Sequence, residues 1–404
     1  MLDQRKRFLQ IAIRSFLTIV VVMPLALFVG CANQNNNSPV SPEIPYENNT
    51  KWQVDSVSIP GFQIAIISGF ESPFGLKVAP DGTVYVPDTR GGQLVRFTPD
   101  LRPNGWLGML DGESSSINGW HYEGEPRRCQ EYGAFDMAHS LDIDQYGNLY
   151  IPDYAAGKIQ RYAPDGTLLG IFYDNPASPD LAFNGSVTGY FDADYNYWVS
   201  DFNLHRITKF DPTGKLIGWM GERTGGELTG GFTVLGTSQH STSLYGFNQP
   251  QEVKFDRFGN FYVVEIGNHR IQKFAPNGQL LGWLGAYRDG TLTDGWATEE
   301  LAGETSVPGG FRNPVSIHFL DNDDFIVCDN GNDRIQKFTY DGKFVGWIGG
   351  KAEGGVTNGW ETTGLSAGGI EPGMMRSPYE AVIHNDKLYV ADGHNGRVQI
   401  FTIL

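Results

Sequence analysis

From residue 61 onward the chain alternates large apolar and polar residues in short runs, each broken by Gly, Asn, Asp or Pro. Period-two runs bounded by turn residues predict half-buried strands joined by hairpins. The runs recur in a fixed order. In "PQEVKF" and the following "GNFYVVEIGNHRIQKFAPNGQLLGWLG" there are four: a short strand, a strand ending in an acid, a strand opening on "RIQKF", and a strand after the turn "PNG". The copies "NLHRITKF" (203–210), "GNHRIQKF" (267–274) and "GNDRIQKF" (331–338) lie 64 residues apart. Fainter copies, "GGQLVRF" (91–97), "AAGKIQRY" (155–162) and "HNGRVQIF" (394–401), bring the number to six.

Six units of four antiparallel strands, none able to bury both faces alone, predict an all-β chain closed into a six-bladed β-propeller. The last unit ends after its third strand, while "GFQIAIISG" (61–69) precedes the first unit without a partner. That segment is expected to supply the missing outer strand and close the ring. The central phrase, with its "GNHRIQKF" and "GNDRIQKF" cores, resembles the NHL repeat, and all six copies from about residue 61 to 404 fit that family. The resemblance implies the propeller. It leaves function open, because NHL propellers include RNA-binding domains, sensor domains, scaffolds and the peptide-amidating lyase.

Composition agrees with the pattern: 52 glycines and 19% charged residues suit many short strands with tight turns. The net charge is −16, and the body is more acidic still, since the first 30 residues carry Arg5, Lys6, Arg7 and Arg14 against Asp3. A body of that charge, with no basic stripe, is repelled by phosphate backbones, which excludes nucleic acid as a partner. The first residues read as a targeting segment: "RKRF", then "SFLTIVVVMPLALFVG", then Cys31. "LFVGC" resembles a bacterial lipobox, which implies lipid attachment at Cys31 and a chain exported and held on the cell envelope. Ala32, standing where aspartate would signal inner-membrane retention, favours the outer membrane by the same resemblance. The expected organisation is a signal peptide over 1–30, a flexible Asn/Pro/Ser-rich tether over 31–52 and a monomeric propeller over 53–404. Of the remaining cysteines, Cys328 in "DFIVCDNG" is expected to pack as a small apolar residue and not to pair with Cys129.

Ligands of propellers bind where the inner strands begin, at the mouth of the central channel. Blade by blade those first positions are Phe74-Gly75, His139-Ser140, Val187-Thr188, Gln251-Glu252, Val315-Ser316 and Tyr379-Glu380. "AHSLDID" (138–144) is similar to a strand of the amidating lyase, whose metal is held by histidines from several blades, but only blade two has a histidine there. His139, Glu252 and Glu380 fall on blades two, four and six, about 120° apart in a sixfold ring. One imidazole and two carboxylates in that arrangement are candidate ligands for a divalent metal, calcium or zinc, and candidate catalytic groups. His139 stands one position earlier than the glutamates, and strand alternation opposes a common site. The acids Asp88, Asp153, Asp201, Glu265, Asp329 and Asp392, one per blade, are expected to be structural partners of turn N–H groups and of Arg206, Arg270, Arg334 and Arg397. His205 and His269 belong to the same repeat signature.

The inner strands begin 65, 48, 64, 64 and 64 residues apart, so four blades carry an insert that blade two largely lacks. Each insert holds a pair of rings: Trp106 with Trp120, Trp219 with Phe232, Trp283 with Trp296, and Trp347 with Trp360. The first ring of each pair is expected to be structural. The second rings, Trp120, Phe232, Trp296 and Trp360, are expected to border a groove at the channel mouth, joined there by Phe74, Gln251 and Tyr379 as ligand-binding residues. The favoured function is a non-catalytic module that takes a protein, peptide or carbohydrate ligand through this crown. The alternative is a metal-dependent lyase or lactonase at the channel.

Overall fold

The computed structural model describes residues 51–113, 119–173, 183–234, 236–299 and 302–403. The expected signal peptide, most of the expected tether and Cys31 lie outside them. Every described strand belongs to a small antiparallel sheet, and six such sheets form the blades of a propeller. Blade four shows the plan: Pro250–Phe255 pairs with Phe261–Glu265, that strand with Arg270–Phe274, and that one with Leu280–Leu284. The inner strands of the other blades begin at Pro73, Ala138, Ser186, Pro314 and Pro378, those of blades one and two entering through single bridges.

Blade six takes its outer strand from the N-terminal side. Phe62–Ser68 pairs along its whole length with Arg397–Ile403, in the register Phe62 to Ile403 and Ser68 to Arg397. Gln53–Ile59 then adds a fifth, largely exposed strand outside it. Phe62, Ile64 and Ile67 are buried, Phe62 edge-to-face on Phe401 at 5.5 Å. The closing strand is thus part of the core.

The repeat phrase builds the same local device in blades three to six, while in blade one Gln93 stands in place of the arginine and donates to Asp88 at 3.1 Å. The acid at the end of the second strand accepts hydrogen bonds from backbone N–H groups just before the inner strand: Asp329 from Arg312 at 2.8 Å, Glu265 from Asn248 at 3.0 Å, Asp392 from Arg376 at 2.7 Å. Its other oxygen pairs with the arginine five residues on, at 2.9 Å for Asp329 and Arg334 and 2.7 Å for Glu265 and Arg270. Arg334 then spends its remaining donors on the carbonyls of Ser306, Val307 and Gly310. Acid and base are fully buried and hydrogen-bonded on all sides, the condition under which a buried ion pair is tolerated. In blade two Lys158 replaces the arginine and reaches the carbonyls of Gln130 and Glu131.

The residue before the arginine joins neighbouring blades. His205 Nδ1 accepts from the N–H of Gln249 at 3.0 Å, His269 Nδ1 from Asn313 at 3.1 Å, and Asp333 from Ser377 at 2.7 Å. All three acceptors sit at φ near +50°, a left-handed turn that aims the side chain across the seam. Cys328 is buried and free, packed in the cluster shared by blades five and six, so Cys129 and Cys328 do not form a disulfide.

Candidate functional site

The crown does not form over the channel. Each insert folds back along the outer edge of its own blade, where Trp106 bridges to His121, Trp219 to Thr233, Trp283 to Ala297 and Trp347 to Glu361. The first rings are completely buried. The glycine preceding each first ring permits the return: a Cβ on Gly282 would lie 2.8 Å from that of Trp296, and one on Gly346 2.8 Å from that of Trp360. The second rings enter seams with the following blade. Trp120 donates to the carbonyl of Pro164 at 3.0 Å, and Trp296 to that of Tyr340 at 2.9 Å. Phe232 meets Trp198 edge-to-face at 4.9 Å, and Trp360 packs with the Phe62 and Phe401 cluster. Trp120, Phe232, Trp296 and Trp360 thus occupy four separate hydrophobic clusters. They do not border one groove, because pairing with the outer strand draws each insert away from the axis.

The inner strands do converge. A bulge at the start of three of them inserts one residue: Pro250 faces Glu265 while Glu252 faces Val264, and the same slip occurs at Pro314/Ser316 and Pro378/Glu380. Gln251, Val315 and Tyr379 are the extra residues, and a bulge frees a side chain from strict alternation. Two groupings result.

The first is an arc of rings on blades six, one and two. Tyr379 stacks on Phe74 with centroids 3.7 Å apart, Phe74 stands edge-on to His139 at 5.2 Å, and His139 stacks on Tyr154 at 5.0 Å. His139 is 7% exposed, and neither ring nitrogen has a hydrogen-bond partner; nor does the neighbouring Ser140 hydroxyl. Burial pulls the imidazole down to about 3, so it is neutral, with one nitrogen a donor and the other an acceptor. Gln251 is buried on blade four, where its carbonyl accepts from Thr188 and Ser200.

The second grouping holds the two glutamates. Lys254, two residues along the strand from Glu252, places its ammonium 3.3 Å from Glu252 Oε1, 3.6 Å from Glu380 Oε1 and 3.6 Å from the Tyr190 ring centre. These are ion-pair distances without aligned hydrogen bonds, and both Oε1 atoms keep unfilled acceptor capacity. Glu252 Oε2 accepts from the N–H of Ile317 at 2.6 Å, and Tyr190 donates to Glu380 Oε2 at 3.4 Å. Beside them Lys77 pairs with Asp142 at 2.6 Å, and Asp142 also accepts from the N–H of Phe191. His318, held near 3 by burial and by Lys254 and Lys77, stays uncharged. Burial, then the adjacent Glu252, pushes Glu380 up to about 8, while Lys254 is held above its ordinary value because the carboxylates outweigh its own desolvation. Three carboxyl groups face two ammonium groups, and a proton on Glu380 balances the set.

The candidate trio therefore divides: Glu252 and Glu380 share Lys254, whereas His139 belongs to the ring arc. Among the described residues no three His, Cys, Asp or Glu side chains are gathered as metal ligands. The donor set does not fit a resident calcium or zinc ion at these positions. Lys77, Asp142, Tyr190, Lys254 and His318 were not singled out by the sequence, although counting two positions on from Gly75, Ser140, Thr188, Glu252 and Ser316 reaches all five.

No family model matches the chain. Over 159 residues, 38% of the chain, it is 33% identical to peptidyl-glycine alpha-amidating monooxygenase B of Xenopus laevis, but spans only 15% of that protein. Over 115 residues it is 29% identical to the gluconolactonase of Zymomonas mobilis, covering 28% of this chain and 29% of that one. Among solved structures it resembles an auxiliary nutrient binding protein from Bacteroides ovatus, with a TM-score of 0.52 and 13% identity over 88% of this chain and 74% of the other. That last likeness is one of fold.

Proposed function

We propose that the chain is a ligand-binding propeller, carried on a lipid-anchored tether at the cell envelope, whose site lies at the start of the inner strands of blades six, one and two. The observation that carries this reading is His139, enclosed among Phe74 and Tyr154 with both nitrogens unsatisfied. An orphaned buried polar group costs about 1–3 kcal/mol and asks for a partner from outside the fold. Likeness of fold to a nutrient binding protein is compatible with it.

The competing reading, a metal-dependent lyase or lactonase, draws on the partial sequence likeness to an amidating monooxygenase and a gluconolactonase. Against it stands the division of His139 from a carboxylate pair already occupied by Lys254. Elemental analysis of the purified protein, before and after chelation and for Glu252→Gln, separates the two. A divalent ion bound one to one and lost in Glu252→Gln would establish the metal enzyme. In a thermal-shift screen of small molecules, His139→Ala should abolish any ligand-induced shift. Trp296→Ala should lower the melting temperature yet preserve the shift, because that ring is a seam element.

A further inference from the structure

We infer that the ligand of this site is a neutral, hydroxyl-rich small molecule, of the size and character of a sugar ring. The inference rests on the binding reading above and names its ligand class. Three features point to this class. On the inner strand of blade two the unsatisfied buried atoms are the two nitrogens of His139 and the hydroxyl of Ser140, a set with both donors and acceptors in close sequence. A hydroxyl group, donor and acceptor at once, satisfies such a set, whereas a carboxylate or an ammonium satisfies only half of it.

Charge supports neutrality. The nearest ionic groups on each inner strand are already paired: Lys77 with Asp142, Lys254 with Glu252 and Glu380, and His318 uncharged beside them. On these strands neither an anion nor a cation finds a free counter-charge; the exposed Arg90, whose charge reaches Tyr379, is the cation an anionic ligand would meet at the rim, and the gluconate probe tests it. The rings supply the apolar partner, since Phe74 and Tyr379 present the flat carbon surface on which the C–H face of a sugar packs. Tyr154 is tied by Asn203 at 3.1 Å, so the half-buried Tyr379 is the ring that gives way when a ligand enters.

Isothermal titration of the full chain at neutral pH tests this with D-glucose, D-galactose and D-xylose as neutral probes, gluconate as the anion and glucosamine as the cation. The expected result is saturable binding of at least one neutral sugar, weakened about tenfold or more in His139→Ala and in Tyr379→Ala. His139→Asn, which keeps one donor and one acceptor, should recover part of the loss, and also covers the case in which the alanine variant misfolds. Trp360→Ala should leave affinity within about threefold. Binding of gluconate or glucosamine alone, lost in His139→Ala, would overturn the neutral class while leaving the binding site in place. Sugar binding indifferent to His139 and Tyr379, or no saturable binding by any probe to the folded protein, would overturn the inference and the site together.

Discussion

Glu380 is a carboxyl group enclosed on the channel wall with Glu252, Lys254 and Tyr190, and it titrates at about 8 in the folded chain. Its ordinary value is 4.5, so between these limits the folded chain retains a proton that the unfolded chain has released. Stability contributed by this group is full below 4.5 and declines as pH rises through about 8. Glu380→Gln keeps the shape without the titration. Urea midpoints measured from about pH 6 to about pH 9 should therefore fall less steeply in the variant than in the parent. His139 acts with the opposite sign: held near 3 against an ordinary 6.5, it costs stability as pH falls through that range. The acid–arginine pairs were legible in the sequence because one such pair recurs in the same phrase of several blades. The company kept by Glu380 was not, since Lys254 and Tyr190 reach it from other blades.

At the level of elements, the closing strand and the inserts differ in what the sequence disclosed. Phe62–Ser68 was legible because the last unit lacks a strand and this segment lacks a partner. The outer strand Gln53–Ile59, mostly exposed, carries little of that signal. The two should separate on truncation. A chain beginning at about residue 61 loses the mostly exposed strand and a single buried ring, Trp52, which packs on Phe70 and Phe97, and should lose roughly 3–5 kcal/mol. One beginning at residue 69 loses the buried Phe62, Ile64 and Ile67, worth roughly 2–5 kcal/mol each, and should unfold at far lower urea or fail to accumulate. Circular dichroism during urea titration of both chains checks this. The inserts were legible as repeated elements and misplaced as a crown. Their glycines leave room that a Cβ would fill, since one there would stand 2.8 Å from the Cβ of Trp296 or Trp360, and this close approach converts a loop beside the mouth into a fifth edge on the blade.

In the whole molecule the seams couple the blades. Cys328, on the second strand of blade five, packs in one cluster with Phe62, Val390 and Phe401 of blade six. Its thiol should react with a labelling reagent only when the ring opens. The labelling rate of the Cys328 peptide, followed by mass spectrometry, should match global unfolding in the parent and rise sharply in the chain beginning at residue 69. A rate insensitive to that truncation would mean that blade five opens alone. By itself the sequence determined the blade, the number of blades, the strand that closes them and the structural pairing of the repeated acids, because each of these is written in local periodicity and recurs. Only the tertiary structure decided which side chains meet at the axis and where the inserts lie. A bulge of one residue and contacts between blades 63 to 190 residues apart in sequence set those neighbours, and neither has a local signature.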